Sequence, residues 1–313
     1  VEATLASIVA AAAPLVYATM GETISEKSGV INLSLEGSLR FSAMVAFVVA
    51  FWAEHAAVGF AVAMLAGASF AAIIAFASIK LKLNQIAVGF VLTLFGIALA
   101  SFLGDNFVGT RGEQVPSWPI PFLSDIPFIG KVLFSHDLMI YGSFLVIAAT
   151  WWWFYRTRPG LNLQGVGERP EAAFARGIDV NKLRYFYTIL GGALVGVAGA
   201  AYSLDIKLGW RETLTLNLGW IALAIVIFGG WHPLRVAFGC YFFGALQVVA
   251  LQLQDVFPGL AQVLPIAPFP LMIVALMVVY SASFGKLSDR YPKARNLFAS
   301  EAPAAIGTVF ERE

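Results

Sequence analysis

The chain has 313 residues, of which 59% are hydrophobic, 14% aromatic and only 12% charged, with a mean hydropathy of +0.79 and a formal net charge of +1. Soluble domains carry about a quarter charged residues, so an ordinary soluble enzyme is excluded and an integral membrane protein is implied. The net charge is uninformative in such a chain, where the placement of charge matters, and no nucleic-acid partner is implied; the single cysteine, Cys240 in an apolar run, excludes a disulfide framework or a thiolate metal site and reads as core packing.

A helix needs about twenty apolar residues to cross the hydrocarbon core. Such runs fall near residues 3–25, 38–54, 57–79, 84–103, 137–155, 185–204, 214–231, 234–254 and 266–284. They predict an all-α polytopic membrane protein of about nine transmembrane helices, within a range of eight to ten. The first run has no basic leader and no convincing cleavage site before Gly21-Glu22-Thr23, so it reads as a span and not as a secretory signal. Ser28-Gly29-Val30-Ile31-Asn32-Leu33-Ser34-Leu35-Glu36-Gly37-Ser38 joins it to the second run. This stretch mixes polar and apolar residues at or beside membrane depth, where irregular backbone is tolerated only inside protein or along a cavity.

Glu22 and Glu36 are the carboxylates nearest a span interior. Placed beside Lys27 and Arg40, they are expected to form surface pairs at the membrane interface, the alternative being functional intramembrane acids. A proton- or sodium-driven carrier would want acids deeper in the bundle. The connection from Gly104 to His136 carries Pro116, Trp118, Pro119, Pro121, Phe122, Pro127 and Phe128, which predicts a folded external cap with a short interfacial helix. His55, His136 and His232 stand at segment edges without metal-ligand spacing, so no metal site is expected.

The long polar passage from Arg156 to Arg184 interrupts the middle of the chain and carries Arg156, Arg158, Arg169, Arg176, Lys182 and Arg184. Basic connections stay cytoplasmic, and placing this one inside also places Lys27, Arg40, Lys80, Lys82, Arg235, Lys286, Arg290, Lys293 and Arg295 inside. Only Arg111, Lys131, Lys207 and Arg211 then fall outside, which gives an external N-terminus and a cytoplasmic C-terminus. Within the passage, Gly165 to Pro170 reads as a turn, followed by a short helix that starts near Pro170 and stops at Gly177. Its plain reading is a solvated loop between two spans.

Beyond the loop, Gly192, Gly196 and Ala200 form a small-residue stripe suited to close helix packing. Leu216-Asn217-Leu218-Gly219-Trp220 opens the seventh run much as Asn32-Leu33-Ser34 precedes the second, in the opposite sense across the membrane. Interrupted helices at matching positions of inverted repeats tend to hold the substrate near the midplane. The chain therefore reads as one transmembrane domain over 1–285, with halves 1–155 and 185–285 about the loop 156–184. The tail 286–313, with Pro292 and Pro303, reads as cytoplasmic and partly disordered. No P-loop is present, since Gly130-Lys131 is followed by valine, so ATP-driven transport would need a separate ATPase.

Three stretches together resemble the permease subunit of bacterial ABC importers of the nucleoside and simple-sugar branch, related to the branched-chain amino acid permeases. They are Gly21-Glu22 with Ser25-Glu26-Lys27-Ser28-Gly29-Val30-Ile31-Asn32-Leu33-Ser34-Leu35-Glu36-Gly37, then Gly167-Glu168-Arg169-Pro170 to Gly177-Ile178, and Gly219-Trp220-Ile221-Ala222-Leu223-Ala224 with Gly229-Gly230-Trp231-His232-Pro233. Ser34 stands where that family usually has glycine, and Thr93 where many nucleoside-branch members have asparagine.

The resemblance implies a translocation pathway worked by alternating access in the bacterial inner (plasma) membrane, with no catalysis in this chain. ATP and Mg would be bound by a partner ABC ATPase. A second homologous permease subunit, heterodimeric or homodimeric, and an extracytoplasmic substrate-binding protein would complete the importer. Gly165, Gly167, Glu168, Arg169, Pro170, Ala172, Ala173, Arg176, Gly177 and Ile178 would form the coupling helix and its flanks, with both alanines small for nesting against the ATPase. Asn32, Ser34, Glu36, Thr93 and Asn217 are candidates for the substrate pathway. Other readings of the residues are a stand-alone carrier or channel, an importer of sugars or branched-chain amino acids, and a polytopic membrane enzyme, which the sparse polar residues disfavour.

Overall fold

A computed structural model describes residues 1–110, 112–215, 217–257, 263, 266–267, 269–271, 274 and 302–311. In chain order the helices are α1 (Glu2–Lys27), α2 (Leu35–Ala53), α3 (Ala56–Ala75), α4 (Gln85–Gly104), α5 (Ile129–Leu133), α6 (Leu138–Arg156), α7 (Arg158–Glu168), α8 (Pro170–Ala175), α9 (Val180–Ala201), α10 (Leu218–Phe228) and α11 (Pro233–Val256). Single π-helical turns, Phe76–Lys80 and Tyr202–Ile206, extend α3 and α9. Seven helices among the described residues are long and apolar enough to cross a membrane: α1, α2, α3, α4, α6, α9 and α11.

The seventh apolar run, 214–231, forms only the 11-residue α10. At 1.5 Å per residue it is ~16 Å long, about half the hydrocarbon core. Most of the run 266–284 lies outside the described residues.

α1 and α9 run antiparallel through the centre. Ser28 at the end of α1 meets Arg184 near the start of α9, and Ile24 and Tyr187 share a buried cluster. Their closest approach is reciprocal: a Cβ on Gly21 would strike the Gly191 carbonyl, and one on Gly191 the Gly21 carbonyl. α3 lies antiparallel on α9, with Gly67 against Gly192 and Gly196, so the predicted small-residue stripe is a packing seam. α11 lies antiparallel on α1 in the corresponding way, with Gly244 against Ala12 and the buried Cys240 Sγ 3.2 Å from the Thr19 hydroxyl. α4 and α6 are the outer helices, and Phe90, Val91, Leu94 and Phe95 are exposed along α4.

One face of the bundle gathers the 28–31 loop, Lys82, the α7–α8 segment and residues 302–311. The opposite face gathers the start of α1, which Glu2 ties to Lys131 at 3.1 Å, and the connection after α4, which pairs Val108 with Trp210 and Ser117 with Asp137. That connection carries the five-residue α5, in line with the short helix expected there.

Candidate functional site

Loop 28–34 leaves α1 and folds back into the bundle. The Asn32 amide donates to Glu22 Oε1 at 3.1 Å, and the Thr93 hydroxyl donates to the Leu33 carbonyl at 2.7 Å. Thr93 is eight residues into α4, ~12 Å along its axis. Asn32 Oδ1 then accepts from the Ser34 amide (3.2 Å) and hydroxyl (2.7 Å), a local Asx arrangement that starts α2.

At the second residue of α2, Glu36 reaches the other half of the chain. Its Oε1 accepts from the Asn217 amide at 3.1 Å and its Oε2 from the Gly219 amide at 2.8 Å. The first amides of a helix have no intrahelical partner and carry the positive end of its dipole. The N-cap of α10, Asn217, sits at φ 61° and makes no side-chain cap bond, so a carboxylate from α2 supplies it. Arg40 Nη2 stands 3.3 Å from Glu36 Oε1, with both side chains buried.

The five proposed pathway residues thus meet at one locus, but their groups are engaged. The side chains of Asn32, Ser34, Glu36 and Thr93 bind backbone or one another, and Asn217 takes part through its amide. The expected pair of Glu36 with Arg40 is present, but the surface placement of both carboxylates and the pairing of Glu22 with Lys27 are overturned. Glu22 is fully buried and does not pair with Lys27, and Glu36 is 2% exposed. The reason is packing: the inward fold of loop 28–34 brings the Asn32 amide to Glu22, and the start of α10 brings the Asn217 and Gly219 amides to Glu36.

Glu26, one turn beyond Glu22 on the same face of α1, is also buried, and its Oε2 accepts from the indole N–H of Trp231 after α10. Its i,i+4 spacing from Glu22 was the available signal. Sequence reasoning also missed buried hydroxyls without a hydrogen-bond partner among the described residues, those of Ser38, Ser42, Thr188, Tyr202 and Thr215. Tyr202 lines a cavity of 210 Å³ with Ala11, Leu218 and Gln247, between α1, the π turn of α9, α10 and α11.

The 156–184 passage builds a second locus. Gly165 to Pro170 is not a turn. The Thr157 hydroxyl caps the Gly160 amide (3.2 Å), Pro159 sits in the first turn, and α7 runs on to Glu168. Arg169 alone breaks the helix, at φ −146° and ψ 81°, because the residue before a proline is driven out of the α region. α8 starts at Pro170 and stops at Gly177, whose φ of 81° suits glycine, as its sequence predicts.

Pro170 and Ala173 face inward, Ala173 joining a buried cluster with Val166 and Val180 on which Ile178 packs. Glu168, Arg169, Ala172 and Arg176 are exposed along a cleft of 660 Å³ that Gly165 and Ile178 also line. The two alanines therefore differ: Ala173 nests in its own chain and Ala172 faces outward. Gly167 is buried against the Lys27 carbonyl. Arg184, counted from sequence among the loop's charges, is buried at 1% exposure, its Nε 3.1 Å from the Ser28 carbonyl.

An apolar bundle with seven membrane-length helices, a half-length helix capped from another part of the chain and a folded loop on one face defines a multi-pass membrane protein of transporter type. Comparison with known proteins gives the family. The chain belongs to the branched-chain amino acid transport system / permease component family, which matches residues 4–281, and it is a permease component of an ABC transporter.

The putative glucose ABC transporter permease protein TsgC13 of Haloferax volcanii is 37% identical over 267 residues, covering 84% of this chain and 81% of that protein. The guanosine ABC transporter permease protein NupQ of Bacillus subtilis is 34% identical over 282 residues, covering 85% and 88%. The nucleoside ABC transporter permease protein NupC of Lactococcus lactis is 31% identical over 290 residues, covering 88% and 92%. No solved structure matches the chain. The family implies an ATPase and a substrate-binding partner.

Proposed function

We propose that this chain forms the translocation pathway of an ATP-driven importer of a small uncharged solute, a nucleoside first and a simple sugar second. The importer would sit in the bacterial inner membrane, with a second permease subunit, an ABC ATPase that binds ATP and Mg, and an extracytoplasmic binding protein. The face carrying α7, α8 and Lys82 is cytoplasmic on this reading, by the excess of Lys and Arg there. The N-terminus is external, and α10 with the run 266–284 completes nine segments. The reciprocal Gly21–Gly191 crossing, with α3 on α9 as α11 is on α1, supports an inverted repeat.

The observation that carries the cargo class is the Glu36 carboxylate at the start of α10. Half-helix N-termini in transporters hold anionic groups of substrate. Here the site is filled by the chain's own carboxylate, at 2.8 and 3.1 Å. A carboxylate-bearing amino acid loses that anchor, whereas a nucleoside or sugar needs none. The groups left for an uncharged cargo are the unpaired hydroxyls of Ser38, Ser42, Tyr202 and Thr215. The α7–α8 cleft, with Ala172, Arg169 and Arg176 exposed along it, is the docking surface for the ATPase.

Uptake of labelled uridine, guanosine, glucose and leucine into proteoliposomes holding the assembled importer tests this. ATP-dependent uptake of the nucleosides, with none of leucine, is the expected result. Uptake of glucose alone selects the sugar reading, and leucine uptake, or uptake driven by an ion gradient without ATP, overturns the proposal.

A further inference from the structure

The last described segment, residues 302–311, lies against the cytoplasmic face and touches α7, α8, α9, the loop after α1 and Lys82. The Ala305 amide donates to the Gly167 carbonyl at the end of α7 (2.9 Å), and the Gly307 amide to the Gly29 carbonyl after α1 (2.9 Å). The Ala304 amide donates to Glu168 Oε2 at 3.2 Å, and Glu311 pairs with Lys82, just before α4, at 2.5 Å. Phe310 is buried among Val166 of α7, Ala173 of α8 and Val180 of α9, and its ring centre is 5.6 Å from that of Phe174.

Arg184 stands at the crossing of these contacts. Its Nε donates to the Ser28 carbonyl at 3.1 Å and its Nη1 to the Thr308 carbonyl at 2.7 Å. Among the described residues no carboxylate lies within ion-pair distance of it. A buried guanidinium without such a partner is costly, and an apolar side chain of similar length would pack at less cost. What an apolar residue cannot do is hold two separate backbone strands at once, which the planar fork of arginine does.

We infer that Arg184 and segment 302–311 are the positioning elements that carry a displacement of α8 into the first half of the bundle. This rests on the reading of α8 as the element the ATPase moves. α8 has only six residues and is continuous in sequence with α7 and α9 alone. The segment joins it through Phe310 and Thr308 to Arg184, and through Arg184 and Gly307 to Ser28 and Gly29. Those residues begin the inward loop whose Asn32 meets Glu22 and whose helix carries Glu36 to α10. A push on α8 therefore has a continuous route to the junction of the halves, by apolar packing at Phe310 and hydrogen bonds beyond it, with Lys82 extending it to α4.

The assembled importer provides the test, with ATP hydrolysis and cargo uptake measured together. Arg184→Met, and truncation after Ser300, should leave ATPase copurification and basal hydrolysis intact. Cargo moved per ATP should fall about tenfold, within the usual strength of coupling between linked sites. Arg184→Lys, which keeps the charge but not the fork, should fall between, an order that a merely structural loss would not reproduce. Phe310→Ala is the milder variant should the truncated chain fail to insert.

A short bis-maleimide bridge between cysteines at Phe174→Cys and Phe310→Cys should leave uptake intact, because the tie stays in place through the cycle. Unchanged cargo per ATP in both Arg184→Met and the truncation overturns the inference. So does loss of uptake on bridging, which would make the segment a brake that must leave. If Ala172→Glu leaves ATPase stimulation untouched while the Arg184 variants uncouple, the reading of α8 fails separately from this one.

Discussion

The junction at Glu36 and the segment α7–α8 are both polar interruptions in an apolar chain, yet they are built in opposite ways. At the junction, a carboxylate on α2 accepts from the N-cap amide of a helix 181 residues later, so the bonds that close that helix are long-range. In α7–α8 the caps are local: Thr157 to Gly160, Pro170 at the start of α8 and Gly177 at its stop. The contrast separates strength from mobility. Buried charge held by several amides resists change, whereas a short helix with local caps can move as a unit.

Substitutions can break or sharpen this contrast. Glu36→Ala should have the largest effect on stability, because it strands Arg40 and the first amides of α10. Removing one partner of a buried pair costs about 3–5 kcal/mol. A steep fall in Tm in detergent is expected, with Glu36→Gln milder since it keeps an acceptor. An unchanged Tm would mean that the capping bonds contribute little.

Gly191→Ala should come next, at about 1–3 kcal/mol for overpacking where α1 and α9 touch. Thermal unfolding of Gly191→Ala and Gly21→Ala should show similar losses, since each Cβ meets the other's carbonyl. Strongly unequal losses would argue against the reciprocal crossing.

Ala172→Glu should change stability by no more than ~0.5 kcal/mol, as exposed substitutions do. It should nonetheless abolish cargo-stimulated ATP hydrolysis. Ala173→Glu, which buries a charge beside Val166 and Val180, should lower Tm as well. If the two behave alike, the division between an inward and an outward alanine is wrong.

The smallest effect belongs to the Lys82–Glu311 pair, which is exposed and screened by salt. The hydrogen bond from Lys82 holds the Glu311 carboxyl below its ordinary value, so its contribution is present at neutral pH. It is lost only as the pH falls through that lowered value. Release of the segment, followed by a fluorophore at residue 309, should be flat from pH 7 to pH 5 and should rise in stronger acid or high salt. Release near neutral pH would show that another group controls it.

The sequence by itself determined the class, the positions of the seven membrane-length helices found among the described residues and the short helix between Pro170 and Gly177. Composition, run length and local caps act over a few residues and survive without a fold. It also singled out Asn32, Ser34, Glu36, Thr93 and Asn217, although not what they do. Only the tertiary structure decided that loop 28–34 turns inward, that Glu36 closes α10, that Arg184 is buried and that residues 302–311 tie the cytoplasmic face together. Each of these depends on which backbone amide or carbonyl another segment brings within about 3 Å of a side chain, and such partners are set by packing across the whole bundle.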